Sequence, residues 1–210
     1  MISKCLLKRF AAARDGVVMV EFAFMAPLLL LLILGGLELA NFALANLRVN
    51  QMAISVADNA GRVRTSVDET DIEEVFSAAD LLGTQLDFQN NGRVVLSSLQ
   101  DNGQTGRDAG QEIAWQRCWG ALDVDPAYGV EGDGANDDRF EDGIGEDGNR
   151  IRSMRNATMM FVEVTYEYQP LVGPNWFSID QIRAEAAFNV RTIRSEDITN
   201  TQDLEVRACE

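Results

Sequence analysis

The chain has 210 residues, with 18 Lys and Arg against 33 Asp and Glu, no His, three Cys and four Pro. The missing His excludes His-based triads, general bases and metal ligands. Both lysines, Lys4 and Lys8, lie in the first nine residues, which excludes Lys nucleophiles and Schiff-base chemistry from the rest. The net charge of −15 is uneven: residues 1–16 sum to +3 (Lys4, Lys8, Arg9 and Arg14 against Asp15), so the remainder carries −18. A body that acidic repels phosphate backbones, so nucleic acid is not an expected partner. Nothing in this composition assembles a catalytic constellation or calls for a cofactor, and the chain reads as a non-enzyme.

After the basic head the first predicted element is an apolar span. Val17 to Leu37 reads VVMVEFAFMAPLLLLLILGGL, with Glu21 as its one charge. As a helix rising 1.5 Å per residue it is about 30 Å long, the thickness of a bilayer's hydrocarbon core. It shows no polar face, and Pro27 with Gly35 and Gly36 is better tolerated in lipid than in a soluble helix. Bases before the span and acids after it place the N-terminus in the cytoplasm and the body across the membrane. The rival reading is a cleavable secretory signal ending near Ala43-Leu44-Ala45. Against it, the apolar run exceeds the usual h-region of about 7–15 residues. The helical pattern also continues through Val49, Met52, Val56, Ala60 and Val63. One helix over 17–64, with its first half, about 17–37, in lipid, is the better account.

Glu21 is the unusual residue of the span, since a carboxylate in lipid is costly and invites a partner. Its context is a basic leader, then Gly16, four apolar residues, Glu21 and an apolar helix. That order resembles the type IV prepilins and pseudopilins. Glu21 followed at once by Phe22 is similar to the tight-adherence (Tad/Flp) branch. Over residues 9–47 the stretch RFAAARDGVVMVEFAFMAPLLLLLILGGLELANF resembles the TadE/TadG-like proteins, including the Pro in the Leu run and the Gly-Gly-x-Glu after it. Further on, VEVTYEYQPLVG (Val162–Gly173) is similar to a family strand that ends near a Tyr-x-Pro.

The resemblance implies a minor pseudopilin acting in pilus assembly for surface attachment or biofilm formation. It implies a leader of residues 1–16, cut between Gly16 and Val17 by a prepilin peptidase, and residence in the bacterial inner membrane with the body periplasmic. The implied partners are other pilins and pseudopilins, inner-membrane pilus assembly proteins and membrane lipid. Glu21, at mature position five, would then pair with the new Val17 amine of a neighbouring subunit, turning two costly charges into one contact that fixes axial register. Glu38 lies 17 residues after Glu21, about 25 Å along the helix, and reads as an ordinary carboxylate at the outer interface. The alternatives are a single-pass anchored periplasmic binding domain and a secreted protein. Neither has a use for a carboxylate at Glu21.

Residues 65–210 form the predicted exported α+β domain. Thr70-Asp71-Ile72-Glu73 reads as a capping box opening a helix over 71–82, stopped at Gly83. Leu86–Gln89 and Arg93–Leu99 flank Asn90-Asn91-Gly92 and suggest a hairpin. Glu112–Trp119, Thr158–Tyr168 and Ile182–Ile193 read as strands, the last two alternating apolar with polar residues. Such alternation suits an antiparallel sheet covered on one side. The expected fold is therefore α+β and pilin-like: a long N-terminal helix, transmembrane in its first half, packed on a C-terminal antiparallel sheet.

Between the strands lies the acidic, Gly-rich loop 131–148, EGDGANDDRFEDGIGEDG, with eight acids and one Arg. Crowded carboxylates there suit Ca²⁺, which takes about six to eight oxygens. The candidate ligands are Asp133, Asp137, Asp138, Glu141 and Asp142. The spacing departs from the EF-hand, with Ala135 two residues after Asp133, and composition favours a flexible, solvated loop without metal. Cys5 falls in the leader, so Cys118 and Cys209 are an even pair in an oxidising compartment. A disulfide between them would staple an otherwise loose tail to the sheet. Two free thiols would be unusual there, and no His or Lys is present to activate one.

Overall fold

The computed structural model describes residues 15–62, 67–154, 157–173, 181–190 and 198–209. Apolar residues at helical spacing produce one long helix, α1, Asp15–Arg62, which runs through Pro27. The described residues fall into two units: α1 up to Phe42 with the segment beginning at Pro170, and the rest. Residues 1–14 of the expected leader, including Cys5, residues 63–64 at the end of the expected helix and residues 191–193 of the last expected strand lie outside the described residues.

In the second unit α1 buries one stripe: Ala45, Val49, Met52, Ala53, Val56, Ala57 and Ala60. The steps of three and four are the pattern read from sequence, and the small residues among them permit close packing. A second helix, α2, Glu69–Gly83, buries Ile72, Val75, Phe76 and Ala79. Its cap lies two residues earlier than expected. Asp68, not Thr70, is the N-cap: Thr70 N donates to Asp68 Oδ1 (3.1 Å) and Asp68 N donates to Asp71 Oδ2 (2.9 Å). The box logic is unchanged, because an acid three residues after a short polar side chain fits Asp68-Asp71 as well as Thr70-Glu73.

The predicted hairpin at Asn90-Asn91-Gly92 is absent. Thr84–Leu86 is a 3₁₀ turn, Asp87 takes a left-handed conformation (φ 48°), and Phe88–Asn91 is a single helical turn, α3. Asp87 accounts for the difference. Its side chain accepts from Asn90 Nδ2 (2.8 Å) and its carbonyl from the Asn90 and Asn91 amides (both 3.2 Å), so the chain coils and drives Phe88 into the core.

Four antiparallel strands follow: β1 Gly92–Asp101, β2 Gln111–Trp119, β3 Met159–Glu167 and β4 Gln181–Asn189, in the spatial order β2-β1-β3-β4. All four coincide with expected strands, Arg93–Leu99 lying within β1, but β1 pairs with β2 and β3 instead of with Leu86–Gln89. Register aligns Trp119, Val94, Val164 and Ala184 across the sheet, and likewise Arg117, Leu96, Val162 and Ala186. This face receives the helices. Trp119 stacks with Phe76 and Phe88 (centroids 6.4 and 5.6 Å apart), Phe88 stacks with Tyr166 (5.9 Å), and a Cβ at Gly61 would meet the Phe188 Cβ at 3.3 Å.

The opposite face is covered too, which corrects the one-sided sheet. Phe140 and Ile144, from the acidic loop, pack on Leu99, Ile113, Met159 and Phe161. The central strands are therefore buried on both sides, and only β4, at the edge, alternates between buried and exposed. Glycine permits the loop's close approach. Gly134 has φ +84°, and a Cβ there would lie 2.1 Å from the Gln111 carbonyl oxygen.

The tail is bonded along its described length. Thr201 N and Thr199 Oγ1 donate to Asp68 Oδ2, Arg207 pairs with Glu73, Cys118 N donates to the Arg207 carbonyl (2.8 Å), and Cys118 is disulfide-bonded to Cys209. The disulfide therefore closes a contact that hydrogen bonds already hold, and the tail is not otherwise loose.

Candidate functional site

The residues that carry the family resemblance lie on the first turns of α1. Gly16, Val17, Glu21 and Phe22 are all exposed, as are nearly all side chains to Ile33. Among the described residues none pairs with the Glu21 carboxylate. Val17 and Glu21 are four residues apart and so share one face of the helix. Gly16 presents no side chain, and nothing lies within 4 Å of where a Cβ would be. α1 thus offers a small residue, a following apolar turn and a carboxylate to whatever surrounds it. It has the length and composition of a single membrane anchor.

Glu38 differs from its expected role. It is only 2% exposed, and its Oε2 accepts hydrogen bonds from Leu171 N (2.9 Å) and Val172 N (3.0 Å). It is not an ordinary interfacial carboxylate in water. Charge-assisted bonds to two adjacent amides offset the cost of burying it. Sequence could not supply this, because the partners are backbone groups 133 and 134 residues away.

The acidic loop does not assemble the candidate calcium ligands. Asp133 accepts from Val130 N (2.9 Å) and pairs with Arg139 (2.6 Å); Asp137 accepts from Arg139 N (3.0 Å); Asp138, Glu141 and Asp142 are exposed. Among the described residues no three acidic side chains converge as a metal site requires. The loop's Glu131, itself exposed, reaches a buried ion pair instead. Arg117, on β2, binds Glu69 of α2 through Nη2 (2.7 Å) and Nε, and Glu131 through Nη1 (3.0 Å). That network ties helix, sheet and loop together, and its members are too far apart in sequence to have been paired by pattern.

Tyr128 and Asp68 are among the groups whose acidities are shifted. Burial, and then the hydrogen bond to Glu185, raise the Tyr128 hydroxyl above its ordinary range. The Asp68 carboxyl is held well below the usual range, first by the Thr201 amide and then by Thr70 and Thr199. Both are tied by hydrogen bonds within the body, Tyr128 to Glu185 and Asp68 to Thr70, Thr199 and Thr201.

Residues 16–58 match the model of a family described as TadE-like protein. No curated protein and no solved structure matches the chain. The matched segment runs from the glycine before the span to within four residues of the end of α1. The N-terminal region is therefore a TadE-like domain. The TadE-like family is associated with the Tad pilus, and its members are generally structural proteins, not enzymes.

Proposed function

We propose that the chain is a minor pseudopilin of a tight-adherence pilus, delivered as a prepilin and cut between Gly16 and Val17 by a prepilin peptidase. In this reading residues 1–16 are a cytoplasmic leader, 17–37 span the bacterial inner membrane, and 65–210 form the periplasmic body. The observation that carries it is the TadE-like match beginning at Gly16, on a helix whose first turns leave Glu21 exposed. Cleavage creates an amine on Val17 at the edge of the lipid. Glu21 of a neighbouring subunit, another pilin or pseudopilin, accepts it, and the pair sets the axial register in which subunits join.

The test separates insertion from assembly. Glu21→Gln removes a charge from lipid, so membrane level and leader removal should be normal or slightly improved. Pilus formation should fail or weaken, because the partner's amine is left buried and unpaired, a loss of roughly 3–5 kcal/mol. N-terminal sequencing of the mature wild type should begin at Val17. A mature chain beginning at Met1 or Asn46, or normal piliation by Glu21→Gln, would overturn the reading.

A further inference from the structure

The Glu38 contact places a loop. Glu38 is 21 residues beyond Val17, so it stands about 32 Å along α1, close to the hydrocarbon thickness of about 30 Å. It therefore marks the level at which the span leaves lipid. The Leu171 and Val172 amides lie within 3.0 Å of its carboxylate, which puts Pro170–Gly173 at that same level. The loop belongs to the same unit as this half of α1. Leu171 is 67% exposed, and Leu37 and Leu39, the neighbours of Glu38, are exposed as well. In a chain dense in acids, the sequence from Gln169 to Ser178 carries no charge.

Backbone amides at a lipid boundary need partners, because water is scarce there. A buried carboxylate that takes two consecutive amides meets that need and leaves the Leu171 side chain free to enter an apolar phase. We propose that Pro170–Gly173 is a second membrane contact. Leu171 enters the phospholipid leaflet where the α1 span ends, and Glu38 is the positioning residue that holds the loop at that depth. The occupant is bilayer lipid, argued from continuity with the span and from the loop's neutrality. The proposal rests on the reading of α1 as a membrane anchor, which the experiment tests separately.

Full-length protein carrying Cys5→Ser, with the Cys118–Cys209 disulfide intact, is given one new thiol by Leu171→Cys. It is labelled with an environment-sensitive dye and reconstituted in phosphatidylcholine/phosphatidylglycerol vesicles. A parallel sample carries Leu30→Cys, in mid-span. Nitroxide lipids labelled near the headgroup should quench the dye at 171 several-fold more than deep-labelled lipids, with the reverse order at 30. Aqueous iodide should quench the dye at 171 several-fold less than free dye. Adding Glu38→Ala should restore iodide quenching at 171 to nearly that of free dye, while position 30 and the disulfide are unchanged.

Full iodide quenching at 171 with lipid quenching at 30 would overturn the proposal and leave the anchor in place. Protection at 171 from both iodide and lipid quenchers would mean that protein covers the loop, and would overturn it equally. Absence of lipid quenching at 30 would remove the anchor reading itself. Unchanged protection in Glu38→Ala would take the positioning role from Glu38.

Discussion

Between Val17 and Ile33 the side chains of α1 stand outside any core, with Met19, Phe24 and Leu32 at 75%, 79% and 68% exposure. Between Ala45 and Ala60 seven apolar side chains of the same helix are at most 3% exposed. Both halves are rich in aliphatic residues, and only the second alternates them with Arg48, Asn50, Gln51 and Asp58. The difference teaches where each half finds its stability. The second half is held by its own domain through a striped face. The first has no stripe and no protein partner among the described residues, and in the proposed reading lipid or neighbouring subunits complete it.

The strongest way to break this division is to place one charge in each half. Met52→Asp buries an unpaired carboxylate beside Gly83, where the Met52 Cε packs. The expected loss is about 5 kcal/mol, enough to unfold the body. Leu31→Asp should leave the denaturant midpoint of the detergent-solubilised protein within about 0.5 kcal/mol of wild type. It should instead weaken membrane insertion by about 3 kcal/mol. Equal destabilisation of the body by both variants would dissolve the distinction between the halves.

A slightly smaller effect sharpens the self-sufficiency of the body. The Cys118–Cys209 bond joins residues 91 apart, and chain entropy alone gives it about 4–5 kcal/mol. Cys118→Ala with Cys209→Ala should lower the unfolding midpoint by about 4 kcal/mol or somewhat less, since Arg207 and Asp68 hold the tail independently. Membrane extraction behaviour, set by the first half of α1, should not change. Peptide mapping that finds free thiols in exported material would contradict the bond itself.

Much of this was legible in the sequence, for physical reasons that differ by element. The striped second half of α1 and the edge strand β4 announced themselves because burial on one side writes a period into the chain. β3 showed through the same alternation of apolar and polar residues although both its faces are covered, and the span showed as a long apolar run. The Asn90-Asn91-Gly92 turn misled because Asp87 offers the backbone a local hydrogen-bonding alternative, which pattern alone does not rank against a hairpin. The second covering of the sheet was hidden because isolated residues carry it, Phe140 and Ile144 within a run of acids and glycines and Tyr128 just before that run. At the candidate site, Gly16, Glu21 and Phe22 stand out by type and spacing. Glu38 did not, because amides leave no mark in a sequence.

The smallest effect contrasts two buried carboxylates, one in each unit. Glu38 accepts two amides, whereas Glu163, on β3, accepts only Ala127 N (2.8 Å) among the described residues and there leaves Oε1 without a partner. Burial, and then the charge of Glu185 opposite it in register, push the Glu163 carboxyl up to about 7; the Ala127 amide and Arg183 act the other way. The folded protein therefore keeps a proton that the unfolded chain releases near the ordinary value of 4.5. Where the folded state binds more protons, stability falls as pH rises. This group's penalty should build between about pH 4.5 and 7, reach about 3 kcal/mol, and stay constant above that. Glu163→Gln keeps an acceptor for Ala127 N and cannot ionise. Denaturant unfolding of wild type and variant at pH 4, 5, 6, 7 and 8 should show the two nearly equal at the acid end, with the variant ahead by about 2–3 kcal/mol at pH 8. A difference between them that does not vary with pH would mean that Glu163 is accommodated as a carboxylate by the loop above it, as Glu38 is by its two amides.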